Sequence, residues 1–419
     1  MGKHLIFGGV DVIGLAERFG TPLYVTDEQR LRENFRRFRD AFSSVASEIY
    51  YAVKANWNLA VLRILAQEGA GADVFSGGEL YLARLAGIPA SKILFNGNSK
   101  SDEELELAAL SGVKVSVDSF DELYALSEVA RSLGKTVEIA MRVNPDISPE
   151  THPKIATGLK ESKFGIPYEE VLDAYKEAKK LEATGSVRVK GIHCHIGSQI
   201  LDVSIFRETT EKMIALVEAL SERGIELEFV DLGGGLGIPY KKDEPAPTPE
   251  DLAAQILPAF KSAKLRRLPK LILEPGRYIV GNTTILVARV NAVKKAARRF
   301  VAIDAGFNLL IRPALYDAYH EVVVANKMDE PPAETYTVVG PICESGDIIA
   351  KDRTLPEVKR GDIIAIFNAG AYGFAMSSQY NGRPRCAEIL VNAGKAEVIR
   401  RKESFDELLR NQVLPARLL

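Results

Sequence analysis

Cysteine is scarce: Cys194, Cys343 and Cys386 are the three in a chain of 419 residues, far apart and with no C-x-x-C pair. A dense disulfide framework and a cysteine-rich zinc site are therefore excluded, and a reducing cytoplasm is the expected setting. Excess charge of one sign is also lacking. Lys and Arg number 54 against 56 Asp and Glu, for a net charge of −2. A general electrostatic attraction to nucleic acid has no basis in that balance. No apolar run reaches the length of a membrane span; the most apolar window, 362–376, is broken by Asn368, Gly370 and Gly373. The apolar stretch near the start is interrupted by Asp11, so no secretory leader is expected. Internal repeats and low-complexity segments are absent. The G-x-G-x-x-G fingerprint of an open dinucleotide-binding sheet is missing too. The glycine run at 233–235 continues into Ile238 and Pro239 instead of opening a helix.

What the chain has is an ordinary globular mixture, 46% hydrophobic and 26% charged, long enough for about two or three domains. From about residue 48, short β-prone runs alternate with helical patterns: EIYYAVKAN, GADVFS, KILFNG, VKVSVDS, VEIAMRVNP, VKGIHCHIGS, EFVDLGGGL and LILEPGR. Between them lie stretches such as LAVLRILAQEG and DEELELAALSG, with apolar residues three and four apart and a terminal Gly as stop signal. Eight strand–helix units over about 230 residues predict a (β/α)₈ TIM-type barrel. After residue 281 the texture becomes β-prone with few helices, as in TTILVARVNAVKK and GDIIAIFNAG. That predicts a second, all-β domain of sandwich or barrel type. The expected division is a barrel over 31–280, a β domain over 281–419, and an N-terminal segment 1–30 packing with the β domain.

Catalytic groups of such barrels sit at the C-terminal ends of the strands, and phosphate is commonly held after strands seven and eight. Predicted strand seven ends in Gly233-Gly234-Gly235, where bare backbone can approach an anion. Strand eight ends in Glu274-Pro275-Gly276-Arg277, adding a guanidinium. On the first strand, alternation places Lys54 on the face of Ala52, pointing toward the barrel mouth, where an amine could trap a carbonyl. His193 and His195 share a face of strand six; the pair lacks a third metal ligand at convincing spacing, and no metal is expected. One imidazole could instead lie under a flat cofactor. Lysine, phosphate cradle, histidine and the Glu274 carboxylate together suggest pyridoxal 5′-phosphate.

The motifs YAVKAN, GADVFSGGEL, HCHIGSQ, DLGGGLGIPY, EPGRYIV, CESGD and NAGAYGFAMSSQYNGRPR occur in the order seen in diaminopimelate decarboxylases, which the chain resembles over nearly its whole length. That family is a fold-type III group, with ornithine decarboxylase and alanine racemase as relatives. RPALYDAYH (312–320) and CESGD (343–347) discriminate best for the diaminopimelate branch.

The resemblance implies roles residue by residue. Lys54 matches the lysine that bonds the cofactor covalently. His195 matches the imidazole stacked on its ring, and Glu274 the carboxylate facing the ring nitrogen. Asp73, Ser198, Gly234, Gly235, Pro275, Gly276 and Arg277 match further cofactor contacts. Arg277, Arg312 and Tyr316 match the residues that hold the distal carboxylate of an amino-acid substrate, and guanidinium suits a carboxylate because it can pair bidentately. Glu344 matches the group on its distal ammonium, and Tyr372 one touching cofactor and substrate. Cys343 matches a proton donor that reaches the site from a second subunit of a homodimer. The implied reaction is decarboxylation of meso-2,6-diaminopimelate to L-lysine, the closing step of lysine biosynthesis. The rivals are decarboxylation of ornithine, lysine, arginine or carboxynorspermidine, amino-acid racemisation, and a non-catalytic relative.

Overall fold

The computed structural model describes residues 3–147, 162–241 and 243–418. They form two compact units, one of Arg32–Pro239 with Pro245–Ile279, the other of Met1–Leu31, Tyr240–Glu244 and Val280–Leu419.

The first unit is a closed parallel barrel. Its eight strands, in chain and spatial order, are Ser47–Ala52, Gly71–Val74, Ile93–Phe95, Lys114–Val117, Val137–Asn144, Val187–Cys194, Phe229–Asp231 and Lys270–Leu273. The last pairs with the first, so no edge is left open. Each overlaps a run predicted from sequence, three of them starting one or two residues earlier: Ser47, Val187 and Lys270. The two-residue strand Ile166–Pro167 adds a short ninth pairing on the end of the fifth. Large and small residues alternate inside. Tyr50, Leu94, Ala140, Phe229 and Ile272 form one buried cluster, and a side chain on Gly71 or Gly191 would fall 2.3 Å from Tyr50 or 2.4 Å from Phe229. Glycine there makes room for the rings.

Three of the strand-to-helix turns reuse one device. Ser76, Ser101 and Ser119 each accept a hydrogen bond from the backbone N–H of a Glu three residues on, starting helices Gly77–Leu85, Asp102–Ser111 and Phe120–Ser132. Such a cap is worth about 1 kcal/mol. It also fixes where each strand end stops, which is where the chemistry must sit.

One expectation is corrected. The first strand ends at Ala52, and Lys54 lies in the 3₁₀ turn Val53–Ala55, not on the strand's alternating face. The turn is closed by the Asn56 N–H donating to the Val53 carbonyl at 3.1 Å and by the Tyr51 hydroxyl donating to the Asn56 carbonyl at 3.0 Å. These bonds stop the ladder two residues early. The last barrel strand also leads into a short helix, Arg277–Val280, where none was expected.

In the second unit, Leu23–Asp27 lies mid-sheet, antiparallel to Thr284–Lys295 and parallel to Ala387–Asn392. The sheet continues through Arg299–Ile303, Glu334–Val339 and Ile348–Leu355 on one side and Lys395–Arg400 on the other. Val12, Leu23, Val25, Ile285, Val287, Ile389 and Val391 form its core. The all-β reading of this part of the chain is correct. Among the described residues no helix is long and apolar enough to cross a membrane.

Candidate active site

At the C-terminal ends of the barrel strands, a chain of buried polar groups runs from Lys54 to the far wall. The Lys54 ammonium is hydrogen-bonded to Asp73 Oδ2 and lies 5.1 Å from the centre of the Phe75 ring. Asp73 is wholly buried while Lys54 keeps about a third of its side chain exposed, 0% against 32%. Asn96 Nδ2 donates to Asp73 Oδ1 at 2.6 Å and to Glu274 Oε1 at 2.8 Å, tying two carboxylates together. Glu274 Oε2 lies 3.4 Å from His193 Nε2, and His193 Nδ1 lies 2.9 Å from Ser116 Oγ. Asp231 completes the floor, accepting from the Gly233 N–H at 2.8 Å.

These carboxylates differ sharply in proton affinity. Burial pushes Glu274 up, but His193 3.4 Å away and the Lys54 ammonium outweigh burial and hold Glu274 well below the usual carboxylate range. Burial and the neighbouring Glu274 charge push Asp231 well above that range. Asp73 is raised as well, first by burial and then by Glu274, against the pull of Lys54 and Asn96. Of these three, Glu274 is the carboxylate whose proton affinity is lowered. Glu79, whose Oε2 accepts from the Phe75 N–H at 2.7 Å, is raised by burial to about 7 despite Lys54.

Two further features adjoin this floor. His195 is lowered to about 3, first by burial and then by the charges of Lys54 and Arg142. Its Nδ1 accepts from the Gly234 N–H at 3.2 Å, so it is a neutral ring with a fixed orientation. Gly233 has φ +70°, and a Cβ there would stand 2.8 Å from that same Nδ1. A Cβ on Gly234 would lie 2.1 Å from the Glu274 carbonyl oxygen, and one on Gly235 2.7 Å from the Gly197 carbonyl oxygen. Bare backbone is therefore obligatory here. Beside it, Arg277 donates from Nη2 to Ser198 Oγ at 3.0 Å, while Gly276 packs against Ala52 and Ala55. A hydroxyl, a guanidinium and exposed backbone form a donor set for phosphate. A neutral ring, a buried carboxylate anion and a part-exposed amine complete what a phosphorylated pyridine aldehyde requires, and the residues fit that group.

Lys54, Asp73, His195, Ser198, Gly234, Gly235, Glu274, Pro275, Gly276 and Arg277 all belong to the barrel unit. Sequence reasoning missed Asn96, His193 as the partner of Glu274, Asp231 and Glu79. A polar residue closing an apolar strand, as Asn96 closes KILF, was the available signal. The H-x-H pair does not act as one cluster. Instead His193, Asp231 and Glu274 bring ligand-type atoms within 4.8 Å of one another, all three residues being buried.

The other expected residues lie in the β unit. Arg312 opens the short helix Arg312–Tyr316 and is buried, with Tyr316 half-buried at its end. Cys343 and Glu344 are exposed on a loop that Asp347 organises, its two oxygens each accepting at 2.7 Å from the Phe307 and Ile342 N–H groups. The Cys343 N–H donates to Asn381 Oδ1 at 2.8 Å, and Tyr380 donates to Glu344 Oε1 at 2.9 Å. Asp347 thus explains the last letter of CESGD. Tyr372 sits at φ +57°, a left-handed conformation unfavourable for a bulky residue and concentrated at functional positions.

The profile described as "Pyridoxal-dependent decarboxylase, pyridoxal binding domain" matches residues 28–281. The diaminopimelate decarboxylase of Archaeoglobus fulgidus is 59% identical, with 98% of this chain and 97% of the relative covered. Among solved structures, diaminopimelate decarboxylase from M. jannaschii superposes with a TM-score of 0.95 at 42% identity, covering 100% of this chain and 98% of that one. Its co-complex with L-lysine gives 0.94 at 43%, covering 99% and 97%.

Proposed function

The chain belongs to the diaminopimelate decarboxylase family of pyridoxal-dependent decarboxylases, and from that premise we propose that it removes CO₂ from the D-configured centre of meso-2,6-diaminopimelate and releases L-lysine. It is a carboxy-lyase, and its cofactor is pyridoxal 5′-phosphate. The observation that carries the reading is the hydrogen-bonded line Lys54–Asp73–Asn96–Glu274, which links an amine to a carboxylate through two buried side chains, with His193 Nε2 3.4 Å beyond.

When bound, the cofactor supplies an electron sink for the pair left by CO₂. The protein's own residues do the rest. Lys54, hydrogen-bonded to Asp73, would be the amine that bonds the cofactor. Glu274, with its lowered proton affinity, would be the carboxylate partner of the pyridine nitrogen. His195, neutral and oriented by the Gly234 N–H, would serve as the flat ring against the cofactor. Ser198, Arg277 and the Gly234–Gly235 backbone hold the phosphate. Arg277, Arg312 and Tyr316 take the distal carboxylate of the substrate, and Glu344 takes the distal ammonium. Tyr372 touches cofactor and substrate, and Cys343 delivers the proton to Cα. The working form is a homodimer with shared sites, in the cytoplasm.

The test is a panel of diaminopimelate, ornithine, lysine and arginine offered to the pyridoxal phosphate-loaded protein, following CO₂ and the chirality of the product. CO₂ and L-lysine from diaminopimelate alone are expected. Faster release from ornithine or arginine, or racemisation without CO₂, would overturn the assignment.

A further inference from the structure

Arg312 is 5% exposed, and His320 and Tyr240 clamp its guanidinium. Nη1 lies 3.0 Å from His320 Nε2, and the guanidinium carbon stands 4.6 Å from the centre of the Tyr240 ring. His320 is itself wholly buried, with Nδ1 2.8 Å from the Phe367 carbonyl oxygen. A carbonyl oxygen only accepts, so Nδ1 carries the proton. A guanidinium only donates, so Nε2 presents a lone pair. The two contacts fix His320 as the neutral Nδ1–H tautomer. The Tyr240 ring meets the imidazole edge-on, with centroids 5.4 Å apart and planes at 78°.

The clamp therefore consists of two neutral groups. His320 accepts from one guanidinium N–H and Tyr240 covers its face, and neither brings a charge that would neutralise the arginine. An Asp or Glu in place of His320 would hold the arginine as firmly but neutralise it, lowering its attraction for a carboxylate. We propose that His320 is a positioning residue that sets the preference for a substrate bearing a distal carboxylate. This rests on the assignment of Arg312 to that carboxylate.

The experiment uses the cofactor-loaded enzyme with His320→Phe, His320→Gln, His320→Glu and Arg312→Leu. It measures kcat and KM for diaminopimelate, and the calorimetric affinity for L-lysine and for 1,5-diaminopentane, which lacks a carboxylate. His320→Phe should raise KM and weaken L-lysine about ten- to hundred-fold, the scale of a charge-assisted contact. Saturated kcat should change far less, and 1,5-diaminopentane should bind as before. The amide oxygen of Gln can replace the Nε2 lone pair, so His320→Gln should recover most of the loss. Equal losses for both ligands, or wild-type KM in His320→Phe while Arg312→Leu is impaired, would overturn the positioning role. Wild-type L-lysine affinity in Arg312→Leu would instead reject the underlying assignment. Should the phenylalanine variant not fold, His320→Glu decides: it must weaken L-lysine selectively, and wild-type affinity there would overturn the proposal.

Discussion

The barrel site and the β-unit site are built on opposite plans. In the barrel, Asp73, Asn96, His193, Asp231 and Glu274 are all buried, and hydrogen bonds to one another, to the Gly233 backbone or to the Ser116 hydroxyl hold them in place. In the β unit, Cys343 and Glu344 stand exposed, and what is buried is their support, Asp347. The first plan tunes proton affinities before any ligand arrives. The second displays groups rigidly toward something else. A variant in the barrel should thus disturb cofactor chemistry, and one on the loop should disturb turnover while leaving the cofactor in place.

The largest expected effect is on the barrel side. Lys54→Ala should remove the visible absorbance of the bound cofactor and nearly all turnover. Borohydride reduction of the wild type should fix the cofactor mass on the peptide that contains Lys54; labelling of another lysine would refute the assignment. Cys343→Ala, by contrast, should keep that absorbance while kcat falls about 10²- to 10⁴-fold, the range of a lost general acid.

These two variants also test where the two plans meet. Mixed with subunit exchange, Lys54→Ala and Cys343→Ala should regain about a quarter of wild-type activity. Half of the dimers are then mixed, and a two-fold dimer with shared sites leaves one of their two sites intact. No recovery despite proven exchange would mean that each chain supplies both residues itself.

Glu344→Gln should lower kcat/KM about ten- to hundred-fold through one charge-assisted contact, with cofactor binding unchanged. Cofactor loss in that variant would erase the distinction between the two plans.

The smallest effect concerns Glu79. Burial raises it to about 7 from an ordinary 4.5, so the folded protein keeps a proton there that the unfolded chain releases. The stability from that proton is complete below the unfolded value and lost as pH rises to about 7. Glu79→Gln should flatten urea-unfolding stability between pH 4.5 and 7 by at most about 3 kcal/mol. An unchanged slope would mean that Glu79 is no part of the tuned interior.

The contrast also explains what the sequence could say. The barrel was legible because each strand is a short apolar run stopped by Ser, Asn or Gly, and the Gly233–Gly235 and Glu274–Arg277 strand ends show their chemistry locally. The interior network was not, because Asn96 and Glu274, or Ser116 and His193, meet only when the barrel closes. Lys54 was placed on a strand because alternation continues through it; the Tyr51 and Asn56 contacts that end the ladder depend on tertiary structure. For Arg312, Glu344 and Tyr372 no periodicity was informative, and resemblance alone singled them out. His320 stands in the same motif as Arg312, yet its meaning needs the Phe367 carbonyl, 47 residues on.

The middle position of Leu23–Asp27 in its sheet has a consequence for synthesis on the ribosome. That strand emerges early, but its two neighbours, Thr284–Lys295 and Ala387–Asn392, are made only after all eight barrel strands. At about 5–20 residues per second, the wait for the second neighbour is on the order of half a minute. Until Thr284–Lys295 is made, Leu23 and Val25, both fully buried in the finished protein, have neither of their sheet neighbours to join. The nascent chain carries an unpaired apolar strand while the barrel completes behind it.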